Sequence, residues 1–138
     1  MALNNYSTDL NVVTVNGRII TDWGNAEPPL NEAPIDPNST LRRGQGGNAV
    51  RLDRLNPGRE VTLTLNPGGP DSAFMQGLIN AATAITYGRS QVGTLETVLG
   101  AEGIIVNDGP VGRGGSTDAG VTDDVYIMQF NSWTQTKG

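Results

Sequence analysis

Leu10-Asn11-Val12-Val13-Thr14-Val15-Asn16-Gly17-Arg18-Ile19-Ile20-Thr21-Asp22-Trp23 is two β-prone runs joined by a two-residue turn signal. Val, Ile and Thr branch at Cβ and suit an extended backbone. Asn and Gly both tolerate positive φ, which the tight hairpin turn demands at its two central positions. The stretch therefore predicts an antiparallel hairpin, with strands over 10–15 and 18–23. It sets a β-rich expectation for the rest of the chain.

Glu60-Val61-Thr62-Leu63-Thr64-Leu65 bears that expectation out by strict alternation. Val61, Leu63 and Leu65 share one face and Thr62 and Thr64 the other, the pattern of a half-buried strand. Ala49 to Asp53 reads as a short strand, followed by an Asn56-Pro57-Gly58 turn. Thr94–Leu99 and Gly103–Val106 are β-prone, and Val125–Trp133 is a last strand. That strand carries apolar residues on both faces at its start, so it is expected to lie centrally. Asn66-Pro67-Gly68-Gly69-Pro70 breaks the Glu60–Leu65 strand. Phe74, Met75, Leu78, Ile79, Ala82 and Ile85 then form one stripe at helical spacing. A single helix is predicted over 72–85, capped by Asp71 or Ser72. Gly88-Arg89-Ser90-Gln91-Val92 reads as a turn.

Two stretches lack a period. Residues 24–50 hold prolines at 28, 29, 34 and 37, with an extended piece around Leu41. Residues 107–122 hold five glycines. Structureless loops beyond about 12–15 residues are uncommon in compact domains and usually functional. The expected fold is mainly β: an antiparallel β-barrel or sandwich with one flanking α-helix and long loops, a single domain over 1–138.

The chain of 138 residues has 9 basic and 14 acidic side chains, a net charge of −5, and neither cysteine nor histidine. Disulfides, Cys/His zinc sites and imidazole-based nucleophile systems are thereby excluded. The apolar fraction is 36%, with 19 Gly and 8 Pro, so the core is thin. Thin cores are often completed by partner subunits. No run of 18 apolar residues is present, so no membrane span is expected, nor a signal peptide.

The remaining motifs read as structure. Gly44-Gln45-Gly46-Gly47-Asn48-Ala49 spells G-x-G-x-x-A, but a Pro-rich loop precedes it and a strand follows, the wrong context for a dinucleotide. Ser90 has no histidine to activate it. Asp118, Asp123 and Asp124 match no calcium-loop spacing. Glu60, Glu96 and Glu102 have no local pairing for acid–base work. Trp23 and Trp133 suit core or interface better than a sugar platform. No catalytic residue, metal or cofactor is expected, and no enzyme.

Charge placement is more informative. Arg42, Arg43, Arg51, Arg54 and Arg59 stand against Asp53 alone, so 42–59 is +4 and the rest of the chain −9. A basic segment on an otherwise acidic chain suits pairing with carboxylates of a second copy better than gripping DNA. These arginines, with Leu30, Ile35 and Leu41, are the inter-subunit contact candidates.

The order of these pieces resembles a known family. Met1-Ala2-Leu3 and Tyr6-Ser7 lead into Leu10 to Gly17; Asn56-Pro57-Gly58-Arg59 leads into Glu60 to Leu65, then Pro67, a helix through Leu78, Pro110, a glycine loop and Val125 to Trp133. This is similar to the small tail tube proteins of contractile-tailed bacteriophages. The resemblance implies hexameric rings stacked into a tube inside a sheath, with DNA passing through the lumen without specific binding. It implies partners in the sheath, baseplate and tail terminator, a place in the virion tail, and assembly in the host bacterial cytoplasm. No catalytic residue carries over. Such lumens are generally electronegative, and −5 per protomer sums to about −30 per six-membered ring, which repels phosphate. The resemblance makes 24–50 the best candidate for an arm reaching a neighbour, with 4–9 and 107–122 lesser ones. It makes Thr62, Thr64 and Asn66 lumen-wall candidates. The glycine-rich 109–120 loop departs from the family pattern. Alternatives are the tube of a related contractile injection system, a tail terminator or connector ring, and a monomeric β-sandwich glycan-binding module.

Overall fold

The computed structural model describes residues 11–26, 28–53, 58–91, 95–116 and 120–137. Its elements run β1 (Asn11–Val15), β2 (Arg18–Ile20), β3 (Leu30–Pro34), β4 (Ser39–Arg43), β5 (Ala49–Asp53), β6 (Arg59–Leu65), α1 (Pro70–Ala81), β7 (Ile85–Gln91), β8 (Glu96–Asp108) and β9 (Asp124–Thr136). Seven strands form one antiparallel sheet in the order β2-β1-β7-β8-β9-β6-β3, and β4 and β5 form a separate two-stranded ribbon. The sheet curls into a half-barrel around its buried face.

The opening hairpin is as expected. Asn16 and Gly17 take φ of 50° and 84°, and Val15 pairs with Arg18. Its second strand stops at Ile20 instead of reaching Trp23. The backbone N–H groups of Thr21 and Asp22 leave the ladder and donate to the Asp71 carboxylate, at 2.8 and 2.9 Å. Trp23 makes a single bridge to Leu65 instead.

β6 also follows its alternation. Val61, Leu63 and Leu65 are fully buried, together with Val13, Val15, Tyr126, Met128 and Phe130 from neighbouring strands. α1 covers this face through Met75, with Phe74, Leu78 and Ile79 packed against the core. β9 lies between β8 and β6, as anticipated for a central strand.

Five expectations are corrected. The helix begins at Pro70, not 72, and Gly69 caps it without a side-chain hydrogen bond. Proline suits the first turn, where its missing N–H costs nothing. Asp71 and Ser72 look like caps but are committed to partners far along the chain. The helix ends at Ala81 because Ala82 turns left-handed, with φ 50°, and the Ala82 and Thr83 N–H groups close on Ile79 and Leu78 carbonyls. Ile85 is therefore strand, not helix.

Residues 88–91 are not a turn. Gly88 to Gln91 belong to β7, in which Ile85, Tyr87, Arg89 and Gln91 face inward. The long segment 24–50 holds two strands: β3 pairs with β6 from Leu30↔Leu63 to Pro34↔Arg59, and β4 pairs with β5. The Gly44–Ala49 motif is thus the tip of a hairpin. The two β-prone runs 94–99 and 103–106 join into the 13-residue β8. Its mid-strand Gly100 leaves room for the Trp133 ring, which a Cβ would approach to 3.0 Å, and a Cβ on Gly103 would enter the Phe130 ring. The Asn56-Pro57 turn, Arg54, Val92, Asp118 and residues 4–9 lie outside the described residues.

Candidate assembly surfaces

β6 runs about 20 Å, at roughly 3.3 Å per residue, alongside the first half of the longer β9. Each end of the strand gathers its own set of side chains.

The Leu65 end adjoins the start of α1. There Asp71 accepts hydrogen bonds from Thr21 N, Asp22 N and Arg18 Nε, the last at 2.9 Å. Burial opposes its charge, but the two backbone N–H groups and the guanidinium outweigh burial and hold the carboxyl below its ordinary range. Beside it, Ser72 Oγ donates to the buried Asp124 carboxylate and lies 3.1 Å from the Tyr126 hydroxyl. Arg113 Nη2 pairs with Asp124 at 2.7 Å. Asp71 and Asp124 are thus neutralised locally. Asp22, Asp108 and Asp123 at the same end have no ion pair among the described residues. A cavity of about 330 Å³ opens here, between Gly68 to Gln76 of the helix start and Asp108 to Arg113, with Val111 and Val125 as its apolar wall.

The Arg59 end carries both signs, with Asp36, Glu60 and Glu102 near it as well as its arginines. From it the chain leaves into the β4–β5 ribbon, all ten of whose residues are exposed. In register, Leu41 lies opposite Arg51 and Arg42 opposite Val50. Leu41, Val50 and Leu52 are 64, 55 and 52% exposed, large apolar side chains with no cover from their own chain. Arg51 pairs with Asp53 at 2.9 Å on the same strand, whereas Arg42, Arg43 and Arg59 make no ion pair among the described residues.

Inside the barrel lies a buried polar cluster that no sequence pattern announced. Glu32 of β3 receives Arg89 of β7 through Nε and Nη2, both at 3.0 Å, and the Tyr87 hydroxyl at 2.6 Å. Burial and the Glu32 charge push the Tyr87 phenol far up, so it stays protonated. For Arg89 burial works against the charge, but the Glu32 carboxylate prevails and raises its pKa. The cluster ties β3 to β7 across the interior.

Much of the opposite face of the sheet is hydroxylated and free of charge. One register row runs Ile19, Thr14, Gly88, Leu99, Thr134 across five strands, and another Val12, Ser90, Thr97, Thr136 across four. Neither row holds an ionisable side chain. Val12, Ile19 and Leu99 are 40, 56 and 61% exposed, apolar positions the sequence pattern did not single out.

The residues singled out from sequence are divided among these surfaces. Arg42, Arg43, Arg51 and Leu41 come together on the ribbon, and Arg59 sits at its root. Ile35 is exposed near the root, and its side chain reaches Gly58. Leu30 is half-buried, packed against the core opposite Leu63. Thr62 is half-buried on the hydroxylated side of β6; Thr64 is buried in this chain, its backbone bonded to Gly24 and Pro29; Asn66 is exposed beyond the strand. Among the described residues no group of three or more Asp or Glu side chains is placed to hold a metal ion. No described helix is long and apolar enough to cross a membrane.

The sequence matches no protein-family model and no curated protein. Among solved structures, it is similar to the tube-terminating cap of the anti-feeding prophage: TM-score 0.68, 14% identity, over 100% of this chain and 95% of that one. It is similar to a chain of the sheath–tube complex of an extracellular contractile injection system, PVC, with TM-score 0.65 and 11% identity over 97% of this chain and 93% of that one. It is similar to Hcp1 from Flavobacterium johnsoniae at TM-score 0.55 and 12% identity, over 94% and 96% of the two chains. The half-barrel flanked by α1 is therefore a fold found in tube, terminator and cap structures of contractile injection systems, and the likeness to contractile tail tube proteins read from the sequence holds in three dimensions.

Proposed function

We propose that the chain is a structural subunit, acting as one domain over its whole length, that closes into hexameric rings and stacks into the inner tube of a contractile tail. Its partners are copies of itself, the surrounding sheath, and the baseplate and terminator at the two ends. In a phage the tube is the conduit for DNA ejection, a part of the virion tail assembled in the host bacterial cytoplasm. The chain carries no catalysis.

The observation that carries this reading is the unfinished surface of the isolated chain. An all-exposed ribbon with three bare apolar side chains leaves the body, and the sheet ends in two open edges, β2 and β3. Open edges and uncovered apolar surface are what subunit contacts remove. Arg42, Arg43, Arg51, Arg54 and Arg59, with Leu30, Ile35 and Leu41, belong to those contacts on this reading. Thr62, with the two uncharged register rows on the same face, forms the hydrated lumen wall, joined by Asn66 beyond the end of β6; Thr64, expected there from the sequence, is covered within its own chain. A wall without cations gives passing phosphate nothing to grip.

A second reading has support of its own. Two of the similar structures are a tube-terminating cap and a sheath/tube terminator. Such a subunit forms one ring and stops. Negative-stain microscopy of the purified protein at rising concentration separates the readings. Hollow tubes of stacked rings are expected. Single rings at every concentration select the terminator, and a persistent monomer refutes both.

A further inference from the structure

We infer that a second cavity, between the start of β1 and the edge strand β3, binds a primary carboxamide through the buried side-chain amides of Asn11 and Gln91. The cavity measures about 260 Å³. Trp23, Pro28 and Pro29 give it apolar surface, and Asn11, Glu32 and Arg89 are its polar lining. Glu32 and Arg89 are committed to each other and to Tyr87. The amides are not. Gln91 is fully buried, and neither its Nε2 nor its Oε1 has a hydrogen-bond partner. Asn11 Oδ1 is buried and equally bare. Among the described residues these three are the only buried side-chain polar atoms without a partner. The register sets Asn11 of β1 opposite Gln91 of β7, and Gln91 is the next inward position after Arg89. Gln91 therefore stands directly behind two residues that line the cavity. Asn11 is half-buried at the head of its strand, so a turn of its side chain opens Gln91 to the cavity. The neighbouring prolines have no backbone N–H to offer the bare oxygens.

The bare atoms specify the head of the ligand. A buried amide without partners is costly, and native chains rarely leave one. Here two carbonyl oxygens call for donors and one amino group calls for an acceptor. A primary carboxamide has two N–H donors and one carbonyl oxygen, which matches the set. A carboxylate brings no donor for the oxygens and adds charge beside Glu32. An ammonium offers no acceptor to Gln91 Nε2 and meets the Arg89 cation. Water has the right groups, but at about 30 Å³ a molecule the cavity exceeds one bridging water several-fold. Trp23 and the two prolines suit an apolar body instead. The ligand is thus a small neutral amide whose body packs on Trp23. Nothing in this site depends on assembly, so it stands or falls apart from the tube reading.

Benzamide is the probe, with benzoate and acetophenone as controls of like shape that lack the N–H groups. Each is titrated into the ¹⁵N-labelled protein below the concentration of assembly. Benzamide is expected to shift the side-chain amide signals of Asn11 and Gln91, with half-saturation at or below about 5 mM. The controls should bind at least tenfold more weakly. Gln91→Met keeps the length of the side chain and removes the amide. It is expected to weaken benzamide at least tenfold while its Tm matches or exceeds that of the parent, because an unsatisfied polar group is removed.

No movement of the two amide signals at about 20 mM benzamide overturns the site and leaves ordered water as its occupant. Equal binding of benzoate overturns it too. So does a Gln91→Met protein that melts more than about 3 °C below the parent, since the Gln91 amide is then satisfied within the fold. The same head group is carried by free small amides and by Gln or Asn side chains of a neighbouring copy. Benzamide that disperses assembled protein places the natural head group on the neighbour. Benzamide bound equally by monomer and assembly assigns it to a free molecule.

Discussion

Asp71 holds the start of α1 to the end of β2, and its removal has a calculable cost. Its carboxylate takes three donors at 2.8 to 2.9 Å, two of them backbone N–H groups that have no sheet partner. The side chain is only 3% exposed, whereas Arg18 is 39% exposed. Asp71→Ala strands the Thr21 and Asp22 N–H groups, each costing about 1–1.5 kcal/mol when left without an acceptor. Arg18 turns to water and adds less than about 1 kcal/mol. The expected loss is about 3 kcal/mol, or roughly 12 °C in Tm for a domain of this size. Asp71→Asn keeps one acceptor and loses the charge, for about 1–2 kcal/mol. The assay is urea denaturation followed by circular dichroism, below the concentration of assembly. The pH dependence has a definite sign. The folded carboxyl titrates below the ordinary value of 3.8, so its contribution is complete above that value and fades as pH falls through the depressed folded one. The gap between parent and Asp71→Asn should stay constant from about pH 5 upward and close only in acid. An Asp71→Ala protein within about 0.5 kcal/mol of the parent, or a gap that widens on acidification, refutes the reasoning.

Other consequences are as direct. Arg89→Leu takes the cation from Glu32 and from the neighbouring Glu96 and should cost about 3–5 kcal/mol, whereas Glu32→Leu with Arg89→Leu should recover only part of that loss in the same denaturation assay, because Glu96 still lacks Arg89. Ala82 is an exposed residue held at φ 50°, so Ala82→Gly should stabilise the chain by about 1 kcal/mol, raising Tm by a few degrees.

Local period made some elements legible and hid others. The opening hairpin, β5 and β6 were readable because their turn residues and alternation are contained within a few positions. β7 was not, because two of its inward residues are Arg89 and Gln91. Arg89 can face inward because Glu32, 57 positions away, neutralises it with help from Glu96. A window of local sequence sees a polar Gly-Arg-Ser stretch and reads a turn. The helix start failed for a related reason. Asp71 and Ser72 have capping chemistry, but Thr21, Asp22 and Asp124 claim it through contacts about 50 positions apart. At the candidate interface the arginine-bearing ribbon was visible, since its arginines cluster within 42–59. The cavity beside α1 was invisible, since its walls come from the helix start, Asp108 to Arg113 and the start of β9, which only the fold brings together.

On the proposed reading, a tube needs two kinds of contact from a single chain. Closing a ring requires a lateral contact whose rotation returns to its start; lengthening requires an axial contact that never closes. Sheet edges lie across the strand direction, and here they are a three-residue β2 and a β3 ending in Pro34. Short edges and proline resist indiscriminate pairing, so lateral partners are selected by fit and not by backbone hydrogen bonds alone. An isolated two-stranded ribbon is marginal in water, and on the proposed tube reading β4–β5 gains a rigid partner from another copy. Substitutions at the β2 or β3 edge should prevent rings from closing at all.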